Sequence, residues 1–318
     1  MGLHTPLCDM LGVAHPIMLA GMGGVSYAEV CAAVSNAGGF GSLGMAGVPP
    51  KMIRAQMQQV KSLTSMPFGV DLLAAQPESL TASVDIIIEE GATAFIAGLG
   101  VPYPIVKQLK DAGILVMAMV GKVDHAKKAE QAGCDAVIAQ GTEGGGHTGT
   151  VASLSLWPQV VDAVKIPVVA AGGLYDGRGL AAALALGCQG VWMGTRFIAS
   201  TEAHAGQPYK DAIVGMSEAD TVISRGFTGK TLRAIRNQTT DEWATKQAQP
   251  FPLQVMDSVQ HNRLGPISGI LEVNPETQCL AAGQGGGGIH EILPSAEIIR
   301  RTLAEAQETL MRLGRLAA

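Results

Sequence analysis

The sequence contains few charged residues, few aromatic residues and no long apolar run. Charged residues make up 15% of the 318 positions and aromatic residues 4%, and the mean hydropathy is +0.25. No apolar run approaches the ~18 residues that cross a bilayer, and the start of the chain lacks the basic and apolar regions of a signal peptide. The net charge is −5, and the sequence has no cluster of basic residues. These absences argue against a membrane span and a nucleic-acid partner, and we expect a cytoplasmic protein.

Cysteine is also scarce, and its spacing excludes the common structural uses. The five cysteines are scattered, without a C-x-x-C pair or a histidine at zinc spacing. We therefore expect neither disulfides nor a metal site. Cys31, Cys134 and Cys188 each lie among small apolar residues, which predicts that they are small buried core residues.

What the sequence has instead is a regular alternation of short apolar segments and amphipathic ones. Eight apolar segments of strand length each precede a segment with helical periodicity, which predicts an all-parallel sheet whose faces are both covered. Eight such units indicate closure as a (β/α)8 TIM barrel. The predicted strands are His15–Met22, Phe40–Gly44, Phe68–Leu73, Ala94–Gly98, Leu115–Val120, a strand from Ala136, Pro167–Gly173 and Val191–Thr195. The predicted helices include Ser26–Asn36, Pro50–Leu63, Pro77–Glu90, Val101–Ala112, Val123–Ala132, Asp176–Leu186 and Ser295–Leu313.

Two predicted helix starts have recognisable capping residues. Ser26 with Glu29 three residues later is a candidate capping box, and Asp176 is a candidate cap for the seventh helix.

A segment of about 80 residues is left over after the eighth strand, more than a barrel loop needs. We expect residues 1–201 and 281–318 to form the barrel, and residues 202–280 to form an inserted substrate domain that covers its C-terminal mouth as a lid. The segment differs in composition from the rest, because it gathers Phe227, Trp243, Phe251, Arg225, Lys230, Arg233, Arg236 and Lys246.

Glycines cluster at several predicted strand ends on one rim. They occur at Gly21, Gly23 and Gly24 after the first strand, at Gly172 and Gly173 after the seventh, and at Gly194 after the eighth. Such a rim can seat a cofactor against backbone amides, and the loops after the last two strands commonly hold phosphate. We expect the helix N-terminus near Gly177 to favour that phosphate.

A dinucleotide-binding crevice is the competing interpretation of these glycines. The run Gly283 to Gly288 contains G-x-G-x-x-G, but no convincing strand precedes it. The run at Gly21 to Ser26 lacks its third glycine and the acidic residue after the next strand. We therefore interpret Gly283 to Gly288 as a flexible return to the last helix, with Gln284 directed at the cofactor.

The stretch around which the chain is organised is AVIAQGTEGGGHTG, from Ala136 to Gly149. After its buried strand, three consecutive glycines precede one histidine, His147. Because glycine has no Cβ, the backbone of this loop could approach a flat ligand closely. His147 is the candidate catalytic residue, although it could also only shape the loop. Glu143, four residues earlier, could orient it or face solvent.

The motifs HPIMLAGMGG, PFGVDLL, AQGTEGGGHTG, PVVAAGGLYDGRG, GTRF, RAIRNQ and AGQGGGG occur in this order along nearly the whole chain. Together they resemble the FMN-dependent nitronate monooxygenases, formerly called 2-nitropropane dioxygenases, and equally the flavin-dependent enoyl-acyl-carrier-protein reductase. The resemblance implies a barrel that binds one FMN. The cofactor-binding residues it implies are Gly21, Met22, Gly23, Gln140, Gly145, Ala171, Gly172, Gly173, Leu174, Gly194, Thr195 and Gln284, with Asp71 at a position where the family usually has Asn.

The resemblance implies two possible activities, and a function of another class is the third possibility. The first is oxidation of alkyl nitronates by O2 to a carbonyl compound and nitrite, in which His147 takes a proton or donates a hydrogen bond. The second is reduction of an enoyl thioester or a quinone with NADH or NADPH as reductant. The third is a flavin-binding protein without turnover, or an enzyme of phosphorylated sugars. A homodimer would be unsurprising at 47% hydrophobic content.

Several other residues have two possible uses. Arg196 could pair with an acidic neighbour. Arg233, Arg236 and Asn237 could reach substrate or a nicotinamide phosphate, or only fix the lid to the barrel. His125, on a lysine-rich helix, is expected at the surface.

Overall fold

The computed structural model describes residues 3–74, 77–101 and 103–316, and its centre is a parallel eight-stranded sheet. Its strands are β1 Ile17–Leu19, β2 Gly41–Gly44, β3 Phe68–Leu73, β4 Ala94–Gly98, β5 Leu115–Val120, β6 Ala136–Gln140, β7 Val168–Ala171 and β8 Gly190–Met193. Neighbouring strands run β1-β8-β7-β6-β5-β4-β3-β2, and a parallel bridge between Met18 and Phe40 joins the two ends. The predicted (β/α)8 TIM barrel is confirmed.

A helix follows each barrel strand and packs its apolar side on the sheet. The buried core between strands and helices includes Val34, Met57, Leu109, Val160 and Leu180. The last helix packs between the helices that follow β7 and β1, which completes the outer ring. These helices are Ala28–Asn36, Pro50–Leu63, Pro77–Glu90, Tyr103–Asp111, Val123–Gln131, Ser153–Ala163, Gly177–Ala185 and Ser295–Leu316.

Most predicted elements are found within a few residues of their expected bounds. The predicted strand Pro167–Gly173 shortens to its four apolar residues, because the glycines turn away from the sheet. The helix predicted over Val101–Ala112 begins at Tyr103, and Pro102 lies outside the described residues. Cys31, Cys134 and Cys188 are buried, as expected.

A short helix that the sequence did not predict, Pro6–Leu11, closes the N-terminal end of the barrel. Its Leu7 and Leu11 are buried against residues that point into the barrel, including Phe40 and Trp192. The barrel interior is therefore a packed core that is closed at its N-terminal end by this helix.

Residues between β8 and the last helix form a compact set of short elements. Two strands, Thr221–Ser224 and Leu232–Ile235, pair antiparallel, and a third strand of two residues, Gly146–His147, pairs with the second. The helices here are Thr195–Ile198, Gln207–Gly215, Gln238–Glu242 and Leu253–Gln260, with 3-10 turns at Pro266–Ser268 and Gln284–Gly288. Within the described ranges, no helix combines the length and apolar character needed to cross a membrane.

The glycine run Gly283 to Gly288 does not form the flexible return that we expected. It is a 3-10 turn in close contact with its surroundings. A Cβ on Gly286 would lie 2.4 Å from the Met216 sulfur, and one on Gly288 would lie 2.2 Å from Tyr175. Glycine is therefore required at these positions because neighbouring side chains pack closely on the backbone, and not because the segment must be flexible.

Candidate active site

A cavity of about 1120 Å³ opens at the C-terminal end of the barrel. Residues at the C-terminal ends of all eight strands or in the loops that follow them line it, and residues of the inserted segment, among them Thr228, Phe251 and Leu264, line it as well. Pockets for one small ligand usually measure about 300–1,000 Å³. The volume therefore leaves room for a cofactor and a second molecule.

Most residues predicted to bind a cofactor line this cavity. Gln284 does not, and its backbone N–H instead donates to the Glu143 carbonyl. The predicted residues found in the lining are Gly21, Met22, Gly23, Asp71, Gln140, Gly145, Ala171, Gly172, Gly173, Leu174, Gly194 and Thr195, together with the predicted catalytic His147.

The loop after β1 is shaped by Ser26, which was predicted to begin a helix. The Ser26 hydroxyl donates to the Ala20 carbonyl at 2.7 Å and accepts from the Met22 N–H at 3.0 Å. The predicted capping box is wrong, because this side chain is used within the loop and the helix begins at Ala28, after Tyr27. Ser26 thus holds the backbone of the glycine loop in place.

Asp71, on β3, is a buried carboxyl group without a hydrogen-bond partner among the described residues. Its exposed fraction is 6%, and it borders the cavity. It lies directly against Gly21, where a Cβ would lie 2.2 Å from the Asp71 Cβ. Burial raises the pKa of Asp71 well above its ordinary value, which favours the neutral carboxylic acid. An acid in that form can donate as well as accept a hydrogen bond.

The loop after β7 offers backbone donors to the cavity. Gly172 and Gly173 have φ values of +96° and +73°, a conformation that glycine adopts without strain. The N–H groups of Gly173 and Leu174 have no acceptor in the described part of the chain. After β8, the Thr195 hydroxyl accepts from the Gly283 N–H at 2.9 Å and keeps its own proton to donate.

The helix N-terminus near Gly177, expected to help hold a phosphate, is already satisfied by the protein. The Gly177 N–H donates to Glu305, and Asp176 accepts from the N–H groups of Arg178 and Gly179. The prediction that Asp176 caps this helix is confirmed. The expectation that this helix N-terminus helps to hold a phosphate is wrong, because Glu305 and Asp176 already accept from its N–H groups.

His147 lies in the two-residue strand that pairs with Leu232–Ile235. Its Nε2 is 2.9 Å from the Thr228 hydroxyl, and the Gln140 amide donates to its backbone carbonyl at 2.8 Å. Burial, and then the charge of Lys230, lower the pKa of His147 to about 4. The imidazole is therefore neutral at pH 7 and a weaker base than a histidine with its ordinary pKa, near 6.5.

Glu143 is partly buried, and its carboxylate bonds to Ser153 rather than to His147. Its carboxylate accepts from the Ser153 N–H and from the Ser153 hydroxyl at 2.9 Å, at the start of the helix Ser153–Ala163. Glu143 therefore fixes the turn that leads from the glycine loop into this helix.

The basic residues of the inserted segment have separate uses. Arg233 is buried and donates to the Thr142 carbonyl at 2.9 Å, and Arg236 pairs with Asp241 at the surface. Asn237 caps the helix Gln238–Glu242. None of the three lines the cavity as described; Arg233 joins the inserted segment to the barrel, and Arg236 and Asn237 bond within the segment.

Arg196 does not pair with an acidic side chain. Its guanidinium donates to the carbonyls of Ala199 at 2.8 Å and Glu291 at 2.7 Å, in the buried layer beneath the inserted segment. Its use is therefore structural.

Sequence reasoning missed several residues that line the cavity. Thr228 lies 81 positions from His147, and no local pattern links the two. Lys122 and Lys128 line the opening, as does His125, which is exposed as expected but lies at the cavity rather than on a remote surface. Their three-residue spacing along the helix Val123–Gln131 was a signal that could have been used.

Comparison with known proteins agrees with this architecture. A family profile described as nitronate monooxygenase matches residues 4–83 and 78–305. A (3aS,4S,5R,7aS)-5-hydroxy-7a-methyl-1-oxo-octahydro-1H-indene-4-carboxyl-CoA dehydrogenase from Rhodococcus jostii is 34% identical, over 99% of each chain. FabK from Thermotoga maritima is 36% identical with a TM-score of 0.90, over 98% of this chain and 99% of that one. A nitroalkane oxidase from Streptomyces ansochromogenes is 30% identical with a TM-score of 0.87, over 96% and 99%.

Proposed function

Because the chain is an oxidoreductase of the nitronate monooxygenase family, we propose that it is an FMN-dependent enzyme that oxidises alkyl nitronates with O2. The products would be a carbonyl compound and nitrite. The observation that carries this proposal is a neutral His147, held by Thr228 and close to the charge of Lys230, beside a rim of glycines.

The residues of the rim fit FMN. Gly21, Gly145 and Gly194 leave a face without side chains, which a flat ring can approach. The free N–H groups of Gly173 and Leu174, with the Thr195 hydroxyl, would hold the phosphate. Asp71 would meet a polar edge of the ring, because its buried carboxyl has no partner in the described protein. A bound flavin would supply a two-electron acceptor beside the substrate.

The surroundings of His147 fit an anionic substrate such as a nitronate. Lys230 supplies a positive charge near the imidazole, and a neutral imidazole can donate one hydrogen bond to a nitronate oxygen. A base whose pKa is about 4 takes a proton from carbon poorly at pH 7. We therefore expect the preformed nitronate to be a much better substrate than the neutral nitroalkane, which must first lose its proton.

The test mixes anaerobic, oxidised protein with propyl-2-nitronate, and separately with NADH and NADPH. We expect the nitronate to bleach the flavin absorbance, and His147→Asn to slow that bleaching about tenfold, through the altered hydrogen bond to the nitronate oxygen, while the flavin stays bound. Rapid bleaching by a nicotinamide and none by the nitronate would contradict the proposal. An unchanged rate in His147→Asn would remove the role of the imidazole.

A second candidate is NADH- or NADPH-driven reduction of an enoyl thioester or a quinone. The size of the cavity favours it, because a small nitronate would fill little of the space left beside a flavin. The similarity to FabK and to a CoA dehydrogenase points in the same direction. Bleaching by one nicotinamide in the same experiment would support this alternative.

A further inference from the structure

Asp71 carries the one carboxyl group among the described residues that line the cavity. It lies in the middle of the sheet, on β3, opposite Gly44 of β2 and Ile96 of β4. Neither neighbour can ionise or donate from its side chain. Burial is the only cause that raises the pKa of Asp71, so no charged group of the protein offsets the loss of solvent.

Both oxygens of this carboxyl group face glycine residues. A Cβ on Gly21 would lie 2.6 Å from Asp71 Oδ2, and a Cβ on Gly98 would lie 3.2 Å from Asp71 Oδ1. Within the described part of the chain, neither oxygen accepts a hydrogen bond. The loop after β1 and the end of β4 therefore enclose the group from two sides without supplying a donor.

Other carboxyl groups that are largely enclosed have partners on the protein. Glu90, whose side chain is 8% exposed, pairs with Arg54 at 2.8 Å. Glu202 accepts from the Ser295 hydroxyl at 2.8 Å and also from the Ser295 N–H. Asp71 differs from both, because its hydrogen-bond partner must come from the cavity.

The contents of the cavity therefore decide the charge of Asp71. Water can solvate the carboxyl group while the cavity is open, but a flat ring in contact with Gly21 would displace that water. A carboxylate without donors is then far less stable than the neutral acid. A ligand with both an acceptor and a donor at its edge would satisfy the two oxygens of that acid.

We propose that Asp71 binds the flavin as a neutral carboxylic acid, whose O–H donates to an acceptor atom on the polar edge of the ring and whose carbonyl oxygen accepts from an N–H there. The inference rests on the FMN of the proposed function, but not on the oxidation of a nitronate. A carboxyl group in an apolar site can keep its proton at pH 7 and donate a hydrogen bond. Because the acid is uncharged, it does not oppose the negative charge that the ring gains on reduction.

The first test measures how tightly the holoprotein holds FMN at pH 7, from the flavin fluorescence released on dilution. Asp71→Asn should hold FMN nearly as tightly as the wild type, because an amide also offers one donor and one acceptor to the ring. Asp71→Ala should hold it about tenfold more weakly, because it offers neither. Unchanged affinity in Asp71→Ala would overturn the contact with the ring, and much tighter binding in Asp71→Asn would overturn the neutral acid.

Infrared spectroscopy of the FMN-loaded protein at pH 7 detects the proton itself. A protonated carboxyl group has a C=O band that a carboxylate lacks. We expect such a band in the wild type, displaced when aspartate is labelled with carbon-13 and lost in Asp71→Asn. Asp135→Asn is the matched control and should keep the band, because Asp135 pairs with Lys110 at 2.8 Å and does not line the cavity. Absence of the band, or its loss in Asp135→Asn alone, would overturn the proposal.

The midpoint potential of the bound flavin is a third measure of the charge of Asp71. The wild type and Asp71→Asn should have the same potential at pH 7, because both side chains are neutral. An ionised Asp71 would disfavour reduction, so a higher potential in Asp71→Asn would overturn the proposal. None of these measurements uses a nitronate. Failure of the nitronate assay with FMN bound would therefore leave this inference intact, and an ionised Asp71 would leave nitronate oxidation intact.

Discussion

The two halves of the cavity are lined by different kinds of surface. The half on the barrel rim is built from Gly21, Gly145, Gly172 and Gly194, so backbone atoms form its surface. The half toward the opening carries Lys122, Lys128, Arg225 and Lys230, for which the described residues show no ion pair, although Lys230 lies 4.7 Å from the centre of the Phe251 ring. A backbone surface without side chains can contact a flat ring closely, whereas flexible basic side chains can bind anions of several shapes. The inner half therefore fits a flat ring such as the proposed flavin, and the outer half fits an anion.

The largest effect should come from adding a side chain to the inner half. A Cβ on Gly21 would lie 2.2 Å from the Asp71 Cβ, so Gly21→Val must displace either the loop or the carboxyl group. We expect FMN affinity to fall about 100-fold, since such overpacking costs ~1–3 kcal/mol. Titration of FMN by fluorescence quenching measures it. Gly215→Ala is the control, because a Cβ there meets nothing within 4 Å; equal FMN affinity in both variants would contradict the division into halves.

An intermediate effect should come from the contact that joins the two halves. Thr228→Val removes the hydroxyl that lies 2.9 Å from His147 Nε2. We expect the rate of flavin reduction by the productive substrate to fall about fivefold to tenfold, since one hydrogen bond contributes ~1 kcal/mol. FMN affinity should not change. Stopped-flow absorbance measures the rate, and failure of Thr228→Ser to restore it would contradict an effect through this bond.

A further effect, on neither FMN affinity nor rate, should be a change in how the free energy of unfolding depends on pH. Burial raises the folded-state pKa of Asp71, so its contribution to stability is present below the ordinary pKa and is lost as pH rises toward the raised one. Asp71→Asn does not titrate, and we expect it to lack that loss. Urea unfolding at several pH values, with excess FMN, should show the wild type falling relative to the variant by up to about 1.4 kcal/mol per pH unit. Parallel curves would mean that Asp71 is ionised in the folded protein.

The barrel could be predicted because each of its units carries a local signal. Alternation of apolar segments such as Leu115–Val120 with amphipathic ones is visible in the sequence without knowledge of contacts. The capping box at Ser26 failed because two structures competed for one hydroxyl, and the loop around Met22 used it. Local patterns indicate that a side chain can cap a helix, but not which partner it finds.

The candidate site could be predicted only where residues follow strand ends. Parallel strands bring Gly21, Gln140 and Gly172 to one rim, so their placement follows from topology alone. The contact of His147 with Thr228 depends on how the inserted segment folds back, and no repeat or period encodes that path. The charges of the opening come from separate parts of the chain, since Lys128 is on a barrel helix and Arg225 in the inserted segment, and only the fold shows that both line the cavity.

The pairing of Gly146–His147 with Leu232–Ile235 has a consequence for protein engineering. Exchange of the inserted segment between relatives, the obvious route to a new specificity, would also replace the strand beside which the imidazole lies. A chimaera joined after β8 would therefore keep its own His147 but pair it with a strand from another protein. An exchange meant to change the pocket but keep the surroundings of His147 should therefore transfer both paired strands together.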